Sequence, residues 1–394
     1  YSVIPMHETI KEGSAIIRVK KAEKISKEME VFYNPVMKLN RDIAILLLQQ
    51  LPPMHLCDPL AASGVRSIRF AKELEYGSII ANDSSRKAFS LIKINMKLNK
   101  VKFNVSRGDA NLFLLKSKGF DYIDIDPFGS SNNYLDAAIK RISRNGILAV
   151  TNTDTAALTG TYPKSCIRKY WAIPKLDYLM HETGLRILIR KVQLVGMQYE
   201  KALFPIFSYF KDHYFRIFFR CLKGKKICDE IAEKHGMLND TGPLWLGSLW
   251  DRKLVNRMYI ALLKINNEKI NTMNKSNKNN NTIIRNTMNK SNNAIIKNFK
   301  EINNKSINKI IINNNEKELL KFLKIIKDES KINSIGFYDL HYIAEKNRLR
   351  TMGKKEDIIK RVKSKGYRAS GTHFSGTGIR SDIPYIKLLP LLRE

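Results

Sequence analysis

Cysteine is scarce: four in 394 residues, Cys57, Cys166, Cys221 and Cys228, none in Cys-x-x-Cys spacing. Such scatter in a long chain excludes a disulfide framework and makes a reducing, cytoplasmic compartment the expectation. Long apolar runs are also missing. The longest, around residues 43–48, is far short of the ~20 residues that span a bilayer, and the segment from Tyr1 has no secretory-leader pattern. Acidic residues are few: 37 Asp+Glu stand against 69 Lys+Arg, a formal net charge of +32. A polyanion is the partner such a surface fits, because neutralising phosphates releases counterions. The abundance of Asn, Lys and Ile leaves a second source for the excess, a biased coding composition.

What is present begins with alternation. Over residues 54–155, short apolar runs alternate with helical patterns, the signature of βα units and a mostly parallel sheet. Strands are predicted at His55 to Asp58, Ser78 to Asp83, Phe103 to Arg107, Asp121 to Asp126 and Gly146 to Thr151. Ala88, Leu91, Ile92 and Met96 fit one helix face between them. A hairpin is expected at Gly13 to Val19 and a helix from about Asn40. Beyond the α/β core, a helix is predicted at Lys175 to Thr183, with strand-like runs at Arg186 to Val195 and Tyr209 to Cys221. Residues 266–315, dominated by Asn, Lys and Ile, read as a low-complexity insertion without chemistry. Short basic helices are expected at Glu316 to Lys327, Tyr338 to Lys346 and Lys354 to Lys365. The domains expected are residues 1–250 and a smaller basic α+β unit, 251–394.

Each predicted strand ends in polar residues, where open α/β sheets bind ligands. The first is followed by Asp58-Pro59-Leu60-Ala61-Ala62-Ser63-Gly64-Val65-Arg66, a nucleotide-type loop with small residues but without a full G-x-G-x-x-G. The next two end at Asn82-Asp83 and Asp109-Ala110. One such carboxylate can accept both hydroxyls of a ribose and another the amine of an adenine; each alone is equally explained as a helix N-cap. Arg41 and Arg66 are candidates for holding a ligand carboxylate by paired charge-assisted bonds.

The most specific feature is Asp124-Ile125-Asp126-Pro127-Phe128-Gly129. An exocyclic base amine is a poor nucleophile, its lone pair being delocalised into the ring. A carboxylate at Asp126 can accept its N–H as a sulfonium methyl arrives in line. Phe128 offers a face for stacking the base and Phe32 the opposite one. Asp-Pro is also a common turn initiator, and Phe128 could be core.

These motifs resemble the archaeal and eukaryotic tRNA (guanine-26) N2-dimethyltransferases. The likeness runs through Phe32-Tyr33-Asn34-Pro35, Asn40-Arg41-Asp42, residues 61–66, Asp126-Pro127-Phe128-Gly129, Tyr162-Pro163, His181-Glu182, Asp212-His213-Tyr214, Gly242 to Gly247 and Thr372-His373-Phe374. It implies a Rossmann-like S-adenosylmethionine-dependent methyltransferase domain, a basic C-terminal domain that helps hold tRNA, and N2-methylation of guanine 26. It also implies cofactor binding by Arg41, Arg66, Asp83, Asp109 and Ala110, and a target-base site of Asp126, Phe128 and Phe32. Many members of that family carry a cysteine cluster before the Gly-Pro-Leu-Trp element; here only Cys221, Cys228 and His235 stand nearby, too few for a structural zinc site, so no metal is expected. Competing readings are an adenine-N6 methyltransferase and a non-catalytic tRNA-binding protein.

Two further basic stretches bear on RNA. Across Phe204 to Arg220, strand alternation would bury Phe215, Ile217 and Phe219 and leave the charges solvated. Lys354 to Arg368 is the better candidate for phosphate contacts.

Overall fold

Strands β3 (His55–Asp58), β4 (Ser78–Asp83), β5 (Asn104–Arg107), β6 (Phe120–Ile125) and β7 (Ile142–Asn152) form where the alternation predicts them, with ends shifted by a few residues. They are the parallel part of a seven-stranded sheet of order β5-β4-β3-β6-β7-β9-β8, completed by β8 (Lys201–Lys211) and β9 (Tyr214–Lys223). The computed structural model describes residues 7–20, 30–268 and 314–393. Ile147, Leu148, Ala149 and Val150 are consecutive and all buried, as expected of a strand covered on both faces. Between the strands lie α2 (Val65–Glu73), α3 (Arg86–Leu98), α4 (Ala110–Lys116) and α5 (Asn132–Arg141). In α3, Ala88, Leu91 and Ile92 point inward, and Ser85 caps its first turn. The order reverses between β3 and β6, which places a topological switch point at the carboxyl ends of these two strands.

Two expectations fail beyond Thr155. Arg186 to Val195 is not a strand: it lies inside one helix, α8 (Met180–Met197), of which the predicted helix at Lys175 to Thr183 overlaps only the first turn. Leu185, Leu188, Ile189 and Val192 are buried at helical spacing. Ile187 is buried as well because α8 is sandwiched between β8 (Lys201–Lys211) and β11 (Thr241–Trp245), so the polar stripe that announces an amphipathic helix is lost. The run at Tyr209 to Cys221 is two strands, β8 (Lys201–Lys211) and β9 (Tyr214–Lys223), turning at Asp212 with φ 50°. β9 lies antiparallel between β7 and β8. Its two faces are both covered, and Arg216, expected in solvent, is fully buried.

The apolar core around the sheet continues past residue 250. The helix at 252–268 adds Leu254, Val255 and Met258, and the helix Asn314–Glu329 adds Phe322, Leu323 and Ile326, with Phe322 meeting Tyr209 edge-on at 5.4 Å. A separate small core gathers Leu340, Ile343, Ile358, Val362, Ile379 and Leu388. It lies around a three-stranded sheet of order β12-β14-β13, formed by β12 (Tyr338–Asp339), β13 (Ala369–Gly371) and β14 (Gly378–Ser381). Most of the Asn-rich stretch, residues 269–313, lies outside the described residues.

The two units are joined through buried charge. Arg380 on β14 donates to Glu182 of α8 at 2.5 Å and to Glu329 at 2.8 Å. Glu182 also takes Arg186 at 2.9 Å, and His373 pairs with Glu329 at 2.7 Å. Burial raises the Glu329 carboxyl, but the charges of His373 and Arg380 outweigh it and hold the group down at about 2.

At the other end, hairpin β1 (His7–Glu12) and β2 (Ala15–Lys20) turns at Gly13, φ 57°. Its open edge is satisfied by side-chain amides of α3: Asn95 bonds both backbone groups of Arg18 and Asn99 both of Ile16. Glu12, buried, accepts two bonds of 2.6 Å from Arg41 and one of 3.1 Å from Arg69. Burial raises its carboxyl, but Arg41 and Arg69 more than offset this and lower it from 4.5 to about 2. A depressed acid contributes stability that is complete above its unfolded pKa and is lost as pH falls through 4.5 toward 2. Glu12→Gln should therefore lose about 3 kcal/mol less than the wild type between pH 6 and 2. Paired urea titrations at several pH values check this; parallel pH curves would refute it.

Candidate active site

The loop after β3 is set by backbone bonds before any ligand enters. Ala61 N–H donates to Asn82 O at 2.9 Å and Gly64 N–H to Ala61 O at 2.7 Å. Ala62 takes a left-handed φ of 46°, and its N–H donates to the Asp83 carboxylate at 2.9 Å. Gly64, φ 76°, opens α2; a Cβ there would press on Ile92 at 3.0 Å. Small side chains therefore face the sheet's switch point, beside a cavity of about 270 Å³. Phe32, Tyr33, Arg41, Asp58, Ala61, Ala62, Ser63, Arg66, Asp126 and Phe128 line it.

One guanidinium organises the floor. Arg66 bonds Asn40 Oδ1 at 3.2 Å through both terminal nitrogens, pairs with Asp124 at 3.0 Å, and pairs with Asp126 at the rim. Behind it, Arg216 holds Asp124 with two bonds of 2.8 and 2.7 Å, and the Tyr122 hydroxyl donates to the same carboxylate at 2.5 Å. Burial raises Asp124, yet Arg216 and Arg66 outweigh it, and the group stays below the usual carboxylate range. Asp58 goes the other way. Burial pushes it up to about 7, Arg66 pulling against this and the charge of Asp124 adding to it; Ser67 donates to it at 2.9 Å.

Asp126-Pro127-Phe128-Gly129 leaves β6 and turns at Gly129, φ 72°, whose N–H donates to Thr153 Oγ1 at 2.7 Å. The Phe128 ring is half exposed and meets Phe32 edge to face, centroids 4.2 Å apart.

Of the eight residues singled out in the sequence, Phe32, Arg41, Arg66, Asp126 and Phe128 share this cavity. Arg41 does so while its guanidinium is paired with Glu12 and donates to Asn34 O at 3.1 Å. Asp83, Asp109 and Ala110 line up along the neighbouring strand ends instead. Asp83 accepts from Ala62 and Ser85 backbone N–H groups, and Asp109 caps α4 through Leu112 N–H at 2.9 Å. Asn40, Asp58 and Asp124 stood inside the motifs read from the sequence without a place in the predicted site, and Arg216 escaped it. A signal existed for Asp124: two residues from Asp126 on one strand, it shares that residue's face. None existed for Arg216, whose contact with Asp124 spans 92 positions.

A Rossmann-like sheet with a carboxylate, a guanidinium and two aromatic rings at its switch point defines a methyltransferase-class enzyme domain. A family model described as N2,N2-dimethylguanosine tRNA methyltransferase matches residues 13–241 and 288–393. The chain belongs to this family. A relative from Aquifex aeolicus, named tRNA (guanine(26)-N(2)/guanine(27)-N(2))-dimethyltransferase, is 34% identical over 98% of this chain and 96% of its own length. The tRNA (guanine(26)-N(2))-dimethyltransferase of Pyrococcus abyssi is 36% identical, with 95% of each chain covered. The solved structure of Trm1 from Pyrococcus horikoshii in complex with S-adenosyl-L-methionine superposes with a TM-score of 0.79 at 31% identity, covering 98% of this chain and all of that one.

Among the described residues no three His, Cys, Asp or Glu side chains are grouped to hold a metal. His235 Nε2–H donates to Gln193 Oε1 at 2.8 Å.

Proposed function

We propose that this chain transfers one or two methyl groups from S-adenosyl-L-methionine to the exocyclic N2 of guanine 26 in tRNA. The observation that carries it is Asp126, ion-paired with Arg66 at the rim of the switch-point cavity and flanked by Phe128 and Phe32. The residues fit the cofactor: the loop of Ala61, Ala62 and Ser63 leaves room for an adenosyl group, and Asn82 Oδ1 is a buried acceptor still lacking a partner.

When bound, the cofactor supplies an electrophilic sulfonium methyl. Arg41 and Arg66 hold its carboxylate. Asp83 keeps a lone pair on each carboxylate oxygen after its two backbone bonds and accepts ribose hydroxyls. Asp109 and Ala110 bound the adenine. Phe32 and Phe128 sandwich the guanine, which must leave its stack at a cost of a few kcal/mol. Asp126, beside the Arg66 guanidinium, would accept an N–H of the amine, localise its lone pair and take up its proton as the N–C bond forms.

The small unit around β12, β13 and β14 acts as the tRNA-holding unit, with Lys354 to Arg368 contacting phosphates. No described helix is long and apolar enough to cross a membrane, and all four cysteines are free and buried, which suits a cytoplasmic site of action. The test incubates the protein with unmodified tRNA and methyl-labelled cofactor, then identifies the nucleosides. N2-methylated guanosine is expected, and it should vanish when position 26 carries another base. Methyladenosine would overturn the assignment.

A further inference from the structure

Beside the base pocket lies a surface that the chemistry above does not use. From Thr155 to Leu176 the chain has no acidic residue, while Lys164, Arg168, Lys169 and Lys175 stand within it. In the same segment Tyr162, Ile167, Trp171, Ile173 and Leu176 are all exposed, from 48 to 63%. Helix α7 (Pro163–Tyr170) orders part of this surface: Lys164, Ile167, Arg168 and the following Trp171 share its outer face at i, i+3, i+4 and i+7. Its inner face buries Cys166 and Tyr170.

Trp171 is held in an uncommon way. It ends α7 in a left-handed conformation, φ 55° and ψ 43°, where a glycine would be at ease and a bulky residue is strained. Arg190 donates to its carbonyl at 3.3 Å, and the Lys191 ammonium sits over its ring, 3.1 Å from the centroid. The indole is thus braced yet half exposed. Among the described residues, Lys169 is paired with Asp154 and Lys175 faces Asp240, whereas Lys164 and Arg168 have no ion pair.

The face is wired to the target-base turn. Asn132 Nδ2 donates to Lys169 O at 2.9 Å, and the Tyr170 hydroxyl donates to Ser130 Oγ at 3.0 Å, two residues after Phe128.

We infer that the outer face of α7 docks the tRNA strand adjoining the target base, with Lys164 and Arg168 on phosphates and Trp171 stacking on a base left unpaired when the target is extruded. This rests on the reading of the neighbouring pocket as the base site. RNA rather than protein is the occupant because the face joins cations lacking partners to exposed rings without a carboxylate among them, the pairing of features by which single-stranded nucleic acid is bound.

The experiment uses the full chain, an unmodified tRNA transcript, and the variants Trp171→Ala, Trp171→Phe and Lys164→Ala/Arg168→Ala. Trp171→Ala should weaken transcript binding and raise KM for tRNA about tenfold, with kcat and cofactor affinity unchanged; Trp171→Phe should restore most of it. The double variant should make the plot of log affinity against log salt shallower by about 2. Unchanged transcript affinity in all variants overturns the inference, as does a Trp171→Ala defect confined to self-association in sedimentation, which would mark a protein interface. Transcript binding is read without turnover, so a wild-type chain that bound tRNA but made no methylguanosine would sink the pocket assignment and leave this surface standing.

Discussion

Asp126→Asn is expected to lower the rate of methyl transfer to tRNA by about 10²–10⁴-fold while leaving cofactor affinity and the unfolding midpoint close to wild type. The amide keeps the size of the carboxylate but loses its charge, so it cannot take up the positive charge that grows on the amine as the methyl arrives. The fold is insulated from the change because Arg66 keeps Asp124 and Asn40 as partners. Single-turnover incorporation of labelled methyl, paired with calorimetric titration of cofactor, separates chemistry from binding. A variant within tenfold of the wild-type rate would remove Asp126 from the reaction and leave the amine to be activated by position alone.

The largest loss of stability is expected at the seam between the two units. Arg380→Met should cost about 3–5 kcal/mol of unfolding free energy, because it takes one guanidinium away from two buried carboxylates at once, Glu182 and Glu329. Arg186 and His373 remain on those acids but were already engaged. Denaturant unfolding measures the loss. Glu182→Gln combined with Arg380→Met should cost less than the two changes separately, since the second removes a charge the first has orphaned. Full additivity, or a single-variant loss below about 1 kcal/mol, would show that the cluster is no more than a set of independent surface-like pairs.

This seam also accounts for motifs that the sequence displays without explaining. His181-Glu182 and Thr372-His373-Phe374 sit far apart in the chain, yet Glu182 and His373 meet through Arg380 and Glu329. Gly242 to Gly247 belongs with them: Arg186 donates to the carbonyls of Trp245 and Gly247 at 2.9 and 2.8 Å. As a set they weld the small unit onto α8.

Strands β3, β4, β6 and β7 were legible because each is a short, largely apolar run with Asp or Asn at or just past its carboxyl end, whereas β5, Asn104-Val105-Ser106-Arg107, was placed by its position in the alternation. Asp126 and Phe128 stood out because an Asp-Pro-Phe-Gly turn leaves β6 at that end, and the structure brings Phe32, from the segment before Pro35, against Phe128. α8 was not. Its buried Ile187, Ile189 and Val192 favour strand by local preference, and only packing between β8 and β11 decides for helix. Nor was Arg216 legible: a basic residue alternating with phenylalanines reads as a solvated face until the neighbouring strand brings Asp124 against it. Asp109 shows the limit from the other side, since its side chain does what any helix-capping aspartate does.

The insertion of β9 between β7 and β8 gives the pocket a birth order. Asp58, Asp124 and Asp126 have all left the ribosome by the time β7 is complete, with the Arg66 cation among them and Arg216 still to be translated. A nascent chain or fragment ending at Asn152 thus holds most of the nucleotide-binding half with its anionic cluster undercompensated, and Asp124 gains its second guanidinium only when the late hairpin docks.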